Sequence, residues 1–372
     1  MTRDTGTTLL GGPDGDAGDA GDAGVLFQDW RSPRRSRVRA VVLGLTACLL
    51  VLLAVPVGTL IYLERRIEGN LSRVDAFGGL ENRPQRATGP AAEAQNILLI
   101  GTDRRSPVPT TGTAAAAPSW APGDQRSDAL MLVHVDADRQ GASVISLPRD
   151  SWVDIPGYGE AKLNAAFSYG GPSLTVATVE RLTGVRVDHL AIVDWAGFVE
   201  LTDAVGGVEL SIAEPTYDPD RKIAWSAGRH SLTGEEALAY VRQRKGLPGG
   251  DLDRVRRQQA FMRAVAESMF RTTRGDTGQA LKIVDKVTRH VTVDQGWSTL
   301  AMSRLVLSLR DLSMADVDFF TAPVEGLGRV GDQSVVHLNR TDGAQMWAEV
   351  RADHVDRWTA AHKSELTRDV VR

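Results

Sequence analysis

Asn96–Arg105 reads NILLIGTDRR. The run NILLIG is apolar and of strand length, and the charged GTDRR segment sits at its end. A strand that finishes on glycine and then Asp103 brings a charged group to the edge of a sheet, where α/β proteins commonly build their sites. The same arrangement recurs downstream. RSD (Arg126–Asp128) stands just before an apolar run at Ala129–Val135, and SLPRD (Ser146–Asp150) closes a second run at Ala142–Leu147. The turn DADRQG between these runs makes them a β-hairpin. Asp103 and Asp128 thus bracket residues 104–125, rich in Pro, Ala, Thr and Gly, which read as a mobile loop. Two carboxylates so placed can meet in space. With water and phosphate oxygens they suit Mg²⁺ better than Zn²⁺, and the chain offers no His/Cys set. Taken singly, each aspartate also fits a turn or cap, and Arg149 fits a structural ion pair.

Further along, Pro172–Leu182 has helical periodicity, Val187–Val193 reads as a strand, and Gly197–Ala204 as a helix ended by Gly206-Gly207. Val208–Ile212 is another strand. Thr233 and Glu236 form a capping box that opens a helix through about Gln243. A long helix from Leu252 carries Val255, Met262, Ala266 and Met269 on one face, with Arg254 and Gln258 as i,i+4 neighbours on another. A helix at Ser298–Leu309, a strand at Val317–Thr321 and a helix at about Asp342–Ala352 follow. Strands and helices mixed in this way indicate an α/β domain.

Toward the N-terminus, Ala40–Leu63 contains no charged residue. As a helix it would be roughly 36 Å long, enough to cross a hydrocarbon core of about 30 Å. Arg31, Arg34, Arg35, Arg37 and Arg39 precede it without an acid among them, so residues 1–39 are expected in the cytoplasm and the rest outside. The run is long for a signal peptide, and no small-x-small cleavage site follows Leu63 directly, so the reading is a single-pass anchor in the cell membrane. The expected divisions are a disordered acidic tail (1–39), a transmembrane helix (40–63), a stalk (64–95), an extracytoplasmic domain (96–352) and a polar C-terminal tail (353–372). The net charge of −4 gives no reason to expect nucleic acid as a partner, and a single cysteine, Cys48, excludes an intrachain disulfide.

Tyr240–Gln259 (YVRQRKGLPGGDLDRVRRQQ) packs Arg242, Arg244, Lys245, Arg254, Arg256 and Arg257 around a Gly-Pro-containing turn, with Asp251 and Asp253 among them. Two arginines two apart at a helix end, and more at the start of the next helix, can converge on one point. Guanidinium forks match phosphate oxygens bidentately, so convergence points to a multiply charged phosphate ligand. The plainer reading is a solvated surface.

Taken in order, NILLIGTDRR, RSDALMLVHVD, SLPRDSWVDIPG, KLNAAFSYGG, DWAGFVELTDAVGGVEL, LTGEEALAYVRQR and DLDRVRRQQAF resemble the LytR-CpsA-Psr family from about Asn96 to Val350. The resemblance implies a central mixed β-sheet with helices on both sides and a hydrophobic pocket for a lipid tail. It implies a membrane-anchored phosphotransferase that moves a glycopolymer from a polyprenyl-pyrophosphate carrier to peptidoglycan, at the C6 hydroxyl of N-acetylmuramic acid. By position, Asp103 and Asp128 match the acids linked to Mg²⁺ (or Mn²⁺), Arg149 the PRD arginine and Lys162 the lysine of K-x-N-A. Arg242 and Arg244 match the R-x-R pair that holds the pyrophosphate, Arg254 and Gln258 match the closing helix, and Asp251 matches an acid of the same pocket. Arg257 joins the pyrophosphate set, while Lys245 and Arg256 stay surface charges. Asp128 or Asp251 would deprotonate the attacking hydroxyl, and the sequence leaves both open. A polyprenyl-pyrophosphate hydrolase at the same site and a non-enzymatic envelope regulator are the competing readings. A serine hydrolase is disfavoured, since no G-x-S-x-G elbow appears.

Overall fold

Along Ile97, Leu98, Leu99 and Ile100 successive side chains point to opposite faces, so a strand apolar on both belongs in the middle of a covered sheet. A computed structural model places it there, and describes residues 65–104, 123, 125–273, 277–367 and 370–371. The chain divides between Thr59 and Leu60 into two units, and every described residue belongs to the second. The tail expected over 1–39 and the span expected over 40–63 lie outside the described residues. Among the described residues no helix is long and apolar enough to cross a membrane.

The central sheet is built from β1 (Ser72–Val74), β2 (Gln95–Arg104), β3 (Gln125–Val135), β4 (Ala142–Ser146), β5 (His189–Asp194), β6 (Val291–Asp294) and β7 (Val317–Thr321), in the order β1-β6-β5-β2-β3-β4-β7. It is mixed: β2 runs parallel to β5 and antiparallel to β3, and β7 runs parallel to β4. Most of the loop expected over 104–125 lies outside the described residues, but its ends pair, Arg104 with Gln125. The β2–β3 register shifts between Gly101 and Thr102: Gly101 opposes Ala129, Thr102 opposes Ser127, and Asp128 is the extra residue. Such a bulge re-aims a side chain. Gly101 suits it, because a Cβ there would lie 3.1 Å from the Ala129 Cβ.

The helices are α1 (Leu163–Thr183), α2 (Trp195–Ala204), α3 (Gly234–Arg242), α4 (Asp251–Thr273), α5 (Thr277–Thr288), α6 (Thr299–Ser308), α7 (Arg340–Ala352) and α8 (Val355–Ala361). On one face of the sheet Leu98, Ile100, Leu132 and Ile145 pack with Phe167 and Val176 of α1, Trp347 of α7 and Trp358 of α8. On the other, Ile97, Val135 and Ala191 meet Leu305 of α6, and Met131, Val144 and Phe319 meet Met262 of α4. The expected α/β architecture, a central mixed sheet with helices on both faces, is therefore present. A side sheet of Gly228–Leu232, Val208–Ile212 and Val370–Val371 forms a further core with α2, α3 and α4.

Three boundaries differ from expectation. The stalk expected over 64–95 is largely part of the domain: β1 pairs with β6, Ala76 is buried, and Arg83 is 2.6 Å from the buried Glu180 carboxylate. The polar tail expected over 353–372 contains α8 and adds Val370–Val371 to the side sheet, because Val355 and Trp358, one helical turn apart among charges, reach the core. Helix α1 begins at Leu163 and not at Pro172. Leu163, Ala166 and Phe167 form its first buried stripe, and Gly170-Gly171, with Gly171 at φ 64, breaks it before Pro172. On α4 Val255 is buried as expected, but the buried stripe continues through Phe261, Ala264 and Val265, with Met262, Ala266 and Met269 half-buried beside it, because the helix packs against both the central and the side sheet.

Candidate functional site

Each sequence motif ends where the fold needs a strand or helix to stop, and the ends meet. Asp103 lies near the end of β2, Asp128 on the β3 bulge, Arg149 just past β4, and Lys162 at the N-cap of α1. The capping box is formed, with Thr233 N donating to Glu236 Oε2 at 2.9 Å, and it starts the helix that delivers Arg242. After Arg242 the backbone turns extended, with Gln243 at ψ 133. In extended chain, residues two apart share a side. Gln243 points inward, fully buried, and Arg242 and Arg244 reach the same cavity.

That cavity, about 300 Å³, gathers Asp103, Asp128, Arg242, Arg244, Arg254 and Gln258. Six residues picked from four separate stretches of sequence line one space. Asp128 is buried, ion-paired with Arg149, and lies 3.6 Å from Arg244 Nη2. Arg149 also lies 3.8 Å from Asp150, which is 3.3 Å from Lys162 Nζ. Alternating charge thus runs Arg244–Asp128–Arg149–Asp150–Lys162. Asp103 Oδ1 accepts a hydrogen bond from Arg126 N at 3.0 Å. Arg242 sits over the Trp195 ring at 5.2 Å. Burial pushes its guanidinium below the ordinary arginine value. The positive charges of Arg221 and Arg244 add to that, and Asp128 and Asp103 oppose it. Such a group gains from an incoming anion.

Arg149 and Lys162 face a second cavity of about 290 Å³ that shares Asp103 and Arg244 with the first. A third pocket, about 120 Å³ and lined by Leu99, Val193, Phe198, Leu201, Phe261 and Met262, shares Trp195, Val241 and Gln258 with the first. A larger cavity of about 650 Å³ around Trp347 and Arg351 holds none of these residues. Asp251 is the first residue of α4, and its side chain lies outside what the structure describes.

Arg257 is a correction. It is fully buried and does not line the cavity. Its guanidinium donates to Gln243 Oε1 at 2.7 Å, Thr216 Oγ1 at 2.7 Å and Tyr240 O at 3.4 Å, and stacks 4.1 Å from the Tyr240 ring centre. Burial lowers its pKa from the ordinary value. It ties α4 to the end of α3, because Tyr240 and Thr216 pack over it although it stands only one helical turn from Arg254. Arg221 is a residue that sequence reasoning missed. It lines the first cavity, held by Asp218 Oδ2 at 2.9 Å in the turn between Thr216–Asp218 and Ile223–Trp225. The local signal was the DPDRK turn at 218–222, polar and short like many that touch nothing.

The ends of the central strands of a mixed α/β domain thus gather guanidinium groups and carboxylates in one cavity, which shares Trp195, Val241 and Gln258 with an apolar pocket. The chain belongs to the LytR_cpsA_psr family, whose model matches residues 74–352. It is 33% identical over 285 residues to the cell wall biosynthesis protein LcpA of Corynebacterium glutamicum, covering 68% of this chain and 54% of LcpA. It is 32% identical over 250 residues to the polyisoprenyl-teichoic acid–peptidoglycan teichoic acid transferase TagT of Bacillus subtilis strain 168, covering 64% of this chain and 74% of TagT. The solved structure of TagT bound to LI-WTA superposes with a TM-score of 0.59 at 25% identity, covering 76% of this chain and 99% of that one. The chain spans little more than half the length of LcpA.

Proposed function

We propose that this protein is a membrane-anchored phosphotransferase. It takes a glycopolymer from a polyprenyl-pyrophosphate carrier and joins it by a phosphodiester to the C6 hydroxyl of muramic acid in peptidoglycan. The observation that carries this reading is the convergence of Arg242, Arg244 and Arg254 with Asp103 and Asp128 in one cavity, which shares Trp195, Val241 and Gln258 with an apolar pocket. A pyrophosphate fits the first and the start of a polyprenyl chain fits the second. The family membership and the likeness to TagT support the same substrate class.

In this mechanism the muramyl oxygen forms a bond to the sugar-linked phosphorus. The bridging P–O bond breaks, and polyprenyl phosphate leaves. Phosphoryl transfer depends mainly on positioning and on neutralising the charge of the transferred group. Arg242, Arg244 and Arg254 hold the pyrophosphate oxygens, and Arg149, fixed by Asp128, is aimed beside them. Lys162 extends this positive lining into the second cavity. Asp128 or Asp251 takes the proton from the hydroxyl. Asp103 and Asp128 are the residues that would hold Mg²⁺, which typically takes one or two carboxylates and completes its shell with water and phosphate oxygens. When bound, the ion neutralises charge on the pyrophosphate. The direct test of the site is Arg244→Ala in the purified full chain. The side chain is 55% exposed, so thermal stability should hold while transfer is lost. Full transfer activity in that variant would overturn the assignment.

A further inference from the structure

Tyr158 and Tyr169 are exposed, at 57% and 42%, and stacked on one another with ring centres 4.8 Å apart at 21°. Aromatic rings left open to water stand out against the rest of the surface, since burying them is favourable. Two features hold them in view. Tyr158 sits at the tip of the hairpin Trp152–Ile155/Gly159–Lys162, between Gly157 at φ 79 and Gly159 at φ 77. Tyr169 ends the first segment of α1, just before the Gly170-Gly171 break. The Tyr158 hydroxyl donates to Tyr169 O at 3.5 Å and spans the two elements.

Tyr169 also lines the second cavity, with Asn164, Asp150, Lys162 and Gln333. The first is lined by the guanidinium groups of Arg221, Arg242, Arg244 and Arg254; the second sets the Tyr169 ring, the Asn164 and Gln333 amides, the Asp150 carboxylate and the Lys162 ammonium beside the guanidinium groups of Arg126, Arg149 and Arg244. A pyranose ring needs that second combination, because its C–H face is apolar and its rim carries hydroxyls that both donate and accept. Asp103 and Arg244 border both cavities, so a sugar bonded directly to a phosphate in the first cavity can extend into the second.

We infer that the Tyr158–Tyr169 pair and the second cavity form a saccharide subsite, in which a sugar ring next to the reacting phosphate stacks on the tyrosines. This rests on the phosphotransferase reading. The sugar belongs either to the donor glycopolymer or to the peptidoglycan acceptor, and the test separates them.

The experiment uses the full chain in lipid nanodiscs, as wild type, Tyr158→Ala/Tyr169→Ala and Tyr158→Phe/Tyr169→Phe. The probes are a polyprenyl-pyrophosphate-linked GlcNAc donor, sugar-free polyprenyl pyrophosphate, and a GlcNAc–MurNAc tetrasaccharide acceptor. In the alanine variant KM for the sugar-bearing donor should rise about tenfold while the Kd of the sugar-free lipid is unchanged, and the phenylalanine variant should keep the wild-type value. A rise in acceptor KM alone would assign the subsite to the acceptor and still support it. Unchanged KM for both, with the fold intact by thermal melt, would overturn it. If wild type catalyses no transfer, the phosphotransferase reading fails on its own. Saturation-transfer NMR of the tetrasaccharide and of free GlcNAc, wild type against the alanine variant, then decides the subsite: loss of the signal supports it, and no signal in wild type overturns it.

Discussion

Arg257 donates to the buried Gln243 side chain at 2.7 Å, and Gln243 is the residue between Arg242 and Arg244. Gln243 Nε2 in turn donates to Tyr217 O at 3.0 Å and Lys245 O at 2.9 Å. This fully hydrogen-bonded side chain pins the centre of the R-x-R segment, so the arginines on either side are presented to the cavity without a choice of register. Arg257 thus acts through Gln243 and is a positioning residue.

Arg257→Ala should therefore cost about 3 kcal/mol of stability, since it leaves buried acceptors without their charged donor. It should also weaken pyrophosphate binding, although Arg257 does not line the cavity. Urea unfolding and calorimetric titration with polyprenyl pyrophosphate measure both. A stable variant with weakened binding would return Arg257 to the ligand-contacting set.

Arg149 and Asp128 are both largely buried and ion-paired. Removing Arg149 alone leaves Asp128 with Arg244 at 3.6 Å, a longer contact to a more exposed side chain. A double-mutant cycle of Arg149→Ala and Asp128→Asn should show a coupling energy of about 1–3 kcal/mol. Additive stabilities would mean that the pair is not formed in solution.

The turn that presents Arg221 should be acid-sensitive. Burial by itself would raise the Asp218 carboxyl, but hydrogen bonds from the Arg221 side chain, the Arg221 and Asp220 backbone N–H groups and the Arg221 charge hold it below the usual value. A carboxyl with a depressed folded pKa stabilises above its unfolded value of about 4 and loses that contribution as pH falls through the folded pKa. Asp218→Asn should lower Tm at pH 7, and the gap from wild type should narrow as pH drops below about 4. A gap that is constant with pH would remove the charge from the explanation.

Chelation with EDTA should lower transfer by about 100-fold, with Mg²⁺ restoring it, and Asp103→Asn should raise the Mg²⁺ concentration needed about tenfold. Wild-type activity after thorough chelation would exclude the proposed metal role of Asp103 and Asp128.

Much of this architecture was legible in NILLIGTDRR and its echoes, because a strand with apolar residues on both faces and a charged end has few places to go. The R-x-R pair and the Arg254–Gln258 pair were legible for a local reason too: period-two and i,i+4 spacing fix a shared side within one segment. What escaped depends on packing between segments. Arg254 and Arg257 are one helical turn apart, and only the approach of Tyr240 and Thr216 decides that Arg257 is buried. Arg221 reaches the cavity because its turn folds beside Arg244, where Lys245 meets Asp220 at 2.7 Å, a contact with no trace in local periodicity. The C-terminal helix was hidden because Val355 and Trp358 are two apolar residues in a charged stretch, and the sheet that receives them lies far away in sequence.

Transfer to a sugar hydroxyl is what separates a phosphotransferase from a hydrolase at this site. The measurement that tests it most directly supplies the purified full chain with a polyprenyl-pyrophosphate-linked saccharide and Mg²⁺, with and without peptidoglycan, and follows the phosphorus products by ³¹P NMR. A phosphotransferase forms a new phosphodiester, and releases polyprenyl phosphate, only when peptidoglycan is present. Equal release with and without peptidoglycan, with no phosphodiester formed, would contradict transfer and make the protein a hydrolase.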